Sequence, residues 1–277
     1  MDGAVERGGP IADDGASGEA RNGGVDLREK GMPVDGNPTT LDARLFIQLH
    51  VFGGCLDSAR IVDAARREGI EGAVYEDIND PWGIALLQLS ENPDDFIERT
   101  RGLLRGPAFR DLVFKPEYTM LGRSYSLGYE TDLREALIDR PKRRICDPAL
   151  RWAVWYPLRR AGSFAMLEEK EQQRILAEHG AIGRAFGKAG YGYDIRLACH
   201  GLGKEDNDFV VGLLGSELFP LSAIVQRMRS TRQTSLYLTH LGPFFVGRAV
   251  WQSAIGGEGA GSAAGATGRG TNDEAAR

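Results

Sequence analysis

Over residues 44–52 apolar and polar side chains alternate, with Leu45, Ile47, Leu49 and Val51 on one face, the two-residue period of a half-buried strand. Asp57 or Ser58 can cap the helix that follows. Its apolar stripe is Leu56, Ala59, Val62 and Ala65, and Gly69 offers an easy left-handed stop. Two strands, 70–77 and 82–90, are joined by the turn residues Ile78, Asn79, Asp80 and Pro81. Asn92 and Pro93 open a second helix with Phe96, Ile97, Thr100, Leu103 and Leu104 on its buried face, and a strand region over 109–125 completes the unit. The same order then returns. It runs through a strand at 152–158, a helix over 168–186, strands at 193–200 and 208–214, a helix from Pro220 with Leu221, Ile224, Val225 and Met228 inward, and a strand at 243–250. The pattern β-α-β-β-α-β occurs twice. It predicts an α+β fold of two ferredoxin-like repeats forming a dimeric-type α/β barrel, with a pocket between sheet and helix.

The two ends do not share this periodicity. Residues 1–40 and 253–277 are dominated by Gly, Ala and acidic residues, which cannot bury enough apolar surface to offset ordering, and they are expected to be disordered tails. The body divides into a first repeat at 41–130, a linker at 131–151 rich in Pro and charge, and a second repeat at 152–252. The whole 277-residue chain is 42% hydrophobic and 26% charged, a globular composition. Its net charge of -5 argues against a general electrostatic hold on nucleic acid. No apolar run is long enough to read as a membrane span. Cys55, Cys146 and Cys199 form no CxxC pair and no signal-peptide pattern is present, so a reduced, cytoplasmic protein is expected, with the cysteines as small core residues.

Candidate chemistry collects in the second repeat. Ile175, His179, Ile182 and Phe186 step by 4, 3 and 4 residues, which turns His179 inward. It is either a buried neutral imidazole satisfied by the backbone or the axial ligand of a haem iron, which needs no second His or Cys. No His/Cys spacing offers the three or four clustered ligands of zinc. The strand 152–160 places Tyr156 and Pro157 ahead of Arg159 and Arg160, a redox-capable phenol beside anion-binding guanidinium groups. Arg227, Arg229 and Arg232 form a second basic cluster that suits either a helix C-terminus or a carboxylate. Phosphate-cradling glycine motifs and the nucleophile elbow of hydrolases are absent from the sequence.

Together the doubled repeat, the Tyr156-Pro157 strand, the Glu178-His179-Gly180 helix and the Gly242-Pro243-Phe244-Phe245-Val246-Gly247 end resemble the chlorite dismutase-like haem proteins, and within them the coproheme decarboxylases. The resemblance spans about residues 41–250 and is clearest from 152 onward; the 23-residue separation of Tyr156 and His179 is similar to that of actinobacterial members. It implies that His179 is the proximal iron ligand. It also implies that Tyr156 becomes a radical taking hydrogen from a propionate, so that hydrogen peroxide drives decarboxylation of iron coproporphyrin III to haem b. Leu158, Arg159 and Arg160 match the end of the tyrosine motif, Arg229 with Thr234 or Ser235 matches a second propionate-binding segment, and Lys142 falls near a further basic contact. The distal side departs from the family pattern. Asp194 stands where decarboxylases often carry Gln and chlorite dismutases carry Arg. Arg196 is expected to face solvent or a subunit contact, the alternative being a two-residue slip that brings it to the iron. The other functions open to such a chain are chlorite dismutation, haem carriage or sensing, and a barrel without haem. The resemblance further implies a homo-oligomeric ring, commonly a pentamer.

Overall fold

The computed structural model describes residues 25–255. Most of the tails expected at 1–40 and 253–277 lie outside these residues. The part that is described is not a loose tail. Residues 25–41 form a small hairpin of β1 (Glu29–Lys30) and β2 (Thr40–Leu41). Polar ties rather than apolar burial hold it: Glu29 accepts from Arg44 Nε at 3.0 Å, from Arg123 Nη1 at 3.3 Å and from the Ser126 amide at 2.9 Å. At the other end Ser253 is buried, and its hydroxyl accepts from the Gly72 amide at 3.0 Å.

The first repeat runs β3 (Phe46–Gly53), α1 (Ser58–Arg67), β4 (Gly72–Asp77), β5 (Ile84–Ser90), α2 (Asp95–Glu98), α3 (Thr100–Arg105), β6 (Val113–Phe114) and β7 (Met120–Arg123). Asp57 caps α1 by accepting from the Ala59 amide at 2.9 Å, and the chain leaves the helix through Gly69 at φ 61°. Two residues expected on buried helix faces are exposed instead, Leu56 and Ile97. Leu56 precedes the cap and so lies off the helix. The second helix breaks into α2 and α3 around Arg99, which moves Ile97 off the face shared by Phe96, Thr100 and Leu103.

Residues 131–151, expected as a linker, carry a wide π-helical turn at Glu135–Asp139 that runs into α4 (Arg140–Ile145). Leu133, Leu137, Ile138, Ile145 and Leu150 from this segment belong to the main core. The segment is therefore part of the barrel packing, and its charged residues occupy the outward positions of an amphipathic helix. The second repeat follows as β8 (Trp152–Arg160), α5 (Gly162–Ala165), α6 (Glu169–Lys188), β9 (Tyr193–Ala198), β10 (Phe209–Gly215), α7 (Leu218–Arg229), α8 (Arg232–Tyr237), β11 (Leu238–Leu241) and β12 (Phe245–Gln252).

Hydrogen bonding orders the strands β10-β9-β7-β3-β5-β4-β12-β8, and β10 pairs back on β8, which closes the barrel. β11 and β12 share one edge of β8. Trp155, Tyr75, Phe245, Leu45, Ile47, Leu49 and Leu87 fill the interior. Gly212, paired with Trp155 across β8 and β10, has no room for a side chain, since a Cβ there would lie 2.5 Å from the indole ring. Outside the barrel, α1 and α3 cover one half-sheet through Ile61, Val62, Ala65 and Leu103. α6 and α7 cover the other through Phe186, Leu221 and Ile224. Cys55, Cys146 and Cys199 are buried and unbridged. No helix among the described residues is long and apolar enough to cross a membrane.

Candidate functional site

Alternation along β8 decides what the second half-sheet presents to its helices. Trp155 points into the barrel, so Val154, Tyr156 and Leu158 point out, where they meet α6 and α7. Between this outer face and α6 lies a cavity of about 550 Å³, within the roughly 300–1,000 Å³ of small-molecule sites. Tyr156, Leu158, Val211 and Leu213 line its sheet side. His179, Gly180, Gly183, Arg184, Gly187 and Lys188 line its helix side. These α6 positions fall in two adjacent rows of four-residue spacing, 179/183/187 and 180/184/188. Three of the six are glycine, which keeps the helix backbone open to a flat ligand.

Strand register sets the geometry of the sheet side. β10 lies between β8 and β9, and Val211 pairs with Tyr156 on one side and Arg196 on the other. Tyr156, Val211 and Arg196 therefore form a row, with Asp194 one step along β9, opposite Leu213. Asp194 and Arg196 both line the cavity and are ion-paired, Arg196 Nε to Asp194 Oδ2, at 3.0 Å. Arg196, expected to face solvent or a neighbouring subunit, is exposed and also borders the cavity, because its place on the strand, shared with Asp194, turns it to that side. Burial acts against the Arg196 charge, but Asp194 and then the phenols of Tyr125 and Tyr129 outweigh it, and its pKa is raised.

Across the cavity His179 is largely buried, and that burial lowers its pKa, partly offset by the charge of Asp194. Burial thus favours the neutral imidazole. Its Nδ1 lies 3.3 Å from Thr231 Oγ1. The single hydroxyl proton of Thr231 goes to Met228 O at 2.8 Å, while its oxygen accepts from the Thr234 amide as the cap of α8. Nδ1 must therefore be the donor, which leaves the lone pair on Nε2 for a ligand in the cavity. Tyr156 is 7% exposed and stacks on Phe244 with ring centres 4.6 Å apart. Burial, followed by the negative charge of Asp194, raises its phenol pKa, so it too is neutral.

The cavity thus brings together Tyr156, Leu158, His179, Asp194, Arg196, Arg229 and Thr234. The other expected contacts do not line it. Pro157 points to the opposite face of β8. Arg159 donates from Nε to Asp206 O at 2.7 Å and from Nη2 to Glu205 O, which ties it to the β9–β10 loop. Arg160 shares the face of Tyr156 but is held between the rings of Phe164 and Phe209, at 4.4 and 4.9 Å. Ser235 donates to Thr231 O at 2.8 Å. Lys142 is paired with Glu71 and Glu91, at 3.1 and 3.3 Å, away from the cavity.

The cations that do line the cavity are Arg140, Arg144, Arg184, Lys188, Arg196 and Arg229. Among the described residues only Arg140 and Arg196 pair with a carboxylate, Glu135 at 3.2 Å and Asp194 at 3.0 Å. Arg184 and Lys188 follow His179 by 5 and 9 residues, off its own i, i+4 row, so helical spacing alone does not mark them as its companions. Arg140 and Arg144 come from the segment expected as a linker, where nothing local marks them. A cavity of ligand size, an imidazole with a spare lone pair and unpaired guanidinium groups fit an iron tetrapyrrole.

Known proteins place this architecture. The structure is similar to that of TA0507, provisionally named a chlorite dismutase, with TM-score 0.60 and 15% identity over 75% of this chain and 95% of that one. A haem-binding protein from Thermus thermophilus matches with TM-score 0.58 and 21% identity, over 76% and 92% of the two chains. A mutant chlorite dismutase from Candidatus Nitrospira defluvii, in complex with cyanide, matches with TM-score 0.55 and 13% identity, over 74% and 90%. No curated protein matches the sequence. The sequence profile described as chlorite dismutase matches residues 87–250, more than half of the chain and nearly all of the cavity-bearing repeat, and on that match the chain belongs to the chlorite dismutase family.

Proposed function

We propose that the cavity binds iron coproporphyrin III and that the protein converts it to haem b by peroxide-driven decarboxylation. The observation that carries this reading is the opposition of Tyr156 on β8 and His179 on α6 across one cavity bordered by Arg144, Arg184, Lys188 and Arg229. His179 Nε2 would hold the iron, and the four cations would receive the carboxylate arms through charge-assisted hydrogen bonds. When bound, the iron supplies the two-electron reduction of hydrogen peroxide to water. Tyr156, neutral and shielded from solvent, is suited to lose a hydrogen atom and to regain one from an adjacent propionate. Each propionate with one peroxide and one proton gives a vinyl group, one carbon dioxide and two waters, which balances atoms, charge and electrons. The protein is proposed to act in the cytoplasm as a homo-oligomeric ring, a state that light scattering of the purified chain reads directly.

The presence of Arg196 in the cavity favours a second reading, chlorite dismutation, in which a guanidinium group retains an oxychlorine species near the iron. One experiment separates the two. Purified protein is loaded with ferric coproheme, given peroxide in small steps and followed by mass spectrometry, while oxygen release from chlorite is measured in parallel. Stepwise loss of two carbon dioxides supports decarboxylation. Tyr156→Phe is expected to retain binding and to lose carbon dioxide release; unchanged release would remove Tyr156 from the mechanism. Oxygen evolution without mass loss selects the second reading, and binding without either reaction leaves a haem carrier or sensor.

A further inference from the structure

The sheet side of the cavity holds a charge arrangement that neither reading requires. Arg196 alone would place an uncompensated cation beside the row formed with Tyr156 and Val211. Asp194 removes it. The two side chains stand two residues apart on β9, on one face, and are ion-paired at 3.0 Å with 39% and 46% of their surfaces still exposed. Their backbone is fixed from outside the pair. Arg144 Nη1 donates to the Asp194 carbonyl at 3.1 Å while its guanidinium packs over the Tyr193 ring at 4.7 Å. The remaining cations of the cavity, Arg140, Arg184, Lys188 and Arg229, come from α4, α6 and α7 rather than from the sheet row.

We infer that Asp194 is a specificity-determining residue: by cancelling the charge of Arg196 it lets a neutral oxidant reach the iron and disfavours an anionic one. The inference rests on the cavity being an iron-tetrapyrrole site. Hydrogen peroxide is uncharged at neutral pH, whereas chlorite is an anion, so the pair discriminates on charge rather than on size. Both molecules are small enough that a cavity of this volume could not separate them by shape. The positive and negative groups are adjacent, so beyond their own separation their fields largely offset one another, and deleting either one exposes the other.

The test uses the full chain loaded with ferric haem b and reads the shift of its Soret band on titration at pH 7. The anionic probe is fluoride and the neutral probe is nitric oxide. Asp194→Asn is expected to tighten fluoride binding by about tenfold and Arg196→Gln to weaken it by about tenfold, as one unit charge exposed or removed near the iron would do. The double variant restores fluoride affinity to within about threefold of the starting protein, because the net charge of the pair is again zero. Nitric oxide affinity stays within about threefold throughout. Fluoride affinity unchanged in Asp194→Asn, or nitric oxide affinity moving in parallel with it, overturns the inference. If Asp194→Asn does not fold, Arg196→Gln and the double variant decide the matter on the same criteria. Absence of any haem spectrum in the starting protein overturns the site reading and this inference with it, whereas a normal spectrum with unchanged fluoride binding overturns the inference alone.

Discussion

At the residue scale the behaviour of His179 depends on a hydroxyl that the inward stripe of α6 does not reveal. Thr231 spends its proton on Met228 O, so it can only accept from Nδ1, and accepting makes Nε2 the more basic nitrogen. Thr231→Val removes the acceptor while keeping the shape. It is expected to weaken iron ligation by roughly tenfold, the lower end of what partners of a metal-bound histidine cost. The ferrous iron–histidine stretching frequency, read by resonance Raman, should fall. Loss of the α8 cap would also cost about 1 kcal/mol of stability. Thr231→Ser keeps both hydrogen bonds and should restore the frequency; failure of that rescue would separate Thr231 from the ligand. Asp194 and Arg196 teach a related lesson. Their shared strand face is legible from a two-residue spacing, but which way that face looks is decided by β10, whose register the local sequence does not state.

The element that makes the site is α6, and its composition is a compromise between helix stability and access. Three glycines on one helix face cost roughly 2–3 kcal/mol relative to alanine. A Cβ at Gly183 would meet only Met228 Cε at 3.8 Å, an ordinary contact, so the protein's own packing does not demand glycine there. Gly183→Ala should therefore raise the unfolding free energy of the ligand-free protein by about 0.5–1 kcal/mol, seen as a higher melting temperature, while lowering tetrapyrrole affinity. Affinity unchanged by the added methyl would place the ligand elsewhere. Arg184, lining the same cavity, tests the carboxylate reading. Each lost charge-assisted hydrogen bond is worth about 1.5–3 kcal/mol, so Arg184→Glu should weaken coproheme by about tenfold to a hundredfold. Haem b, with fewer carboxylates, should lose less in the same fluorescence-quenching titration, and equal losses would put Arg184 outside the arm contacts. The 3.6-residue period of α6 was readable in the chain and led directly to His179. α4 was not, because Pro141 and a run of basic residues disguise an amphipathic segment as a linker, although Pro at the first turn is compatible with a helix.

At the scale of the whole molecule the doubled β-α-β-β-α-β order was written in local periodicity, whereas closure of the barrel was not. Closure depends on β10 pairing with β8 and on β9 meeting β7, contacts between residues far apart in the chain. The same closed sheet carries a group that ties stability to pH. His50 lies on the outer face of β3 against Phe52 and Phe114, with its buried Nδ1 lacking a hydrogen-bond partner among the described residues. Burial lowers its pKa from 6.5 to about 4. Between those values the unfolded chain binds a proton that the folded chain refuses. Stability contributed by keeping His50 neutral is thus complete above about pH 6.5 and is lost as pH falls toward 4. The loss amounts to about 3 kcal/mol at most. His50→Leu keeps an apolar group among the aromatic rings and removes the proton. Urea unfolding at pH 7 and at pH 4.5 should show the variant gaining on the unsubstituted protein as pH falls. His50 stands on a strand paired along its length with β5, so the gain should appear in the global unfolding free energy and not as fraying of one edge. A gap between the two proteins that does not change with pH would assign the acid sensitivity to the carboxylates instead.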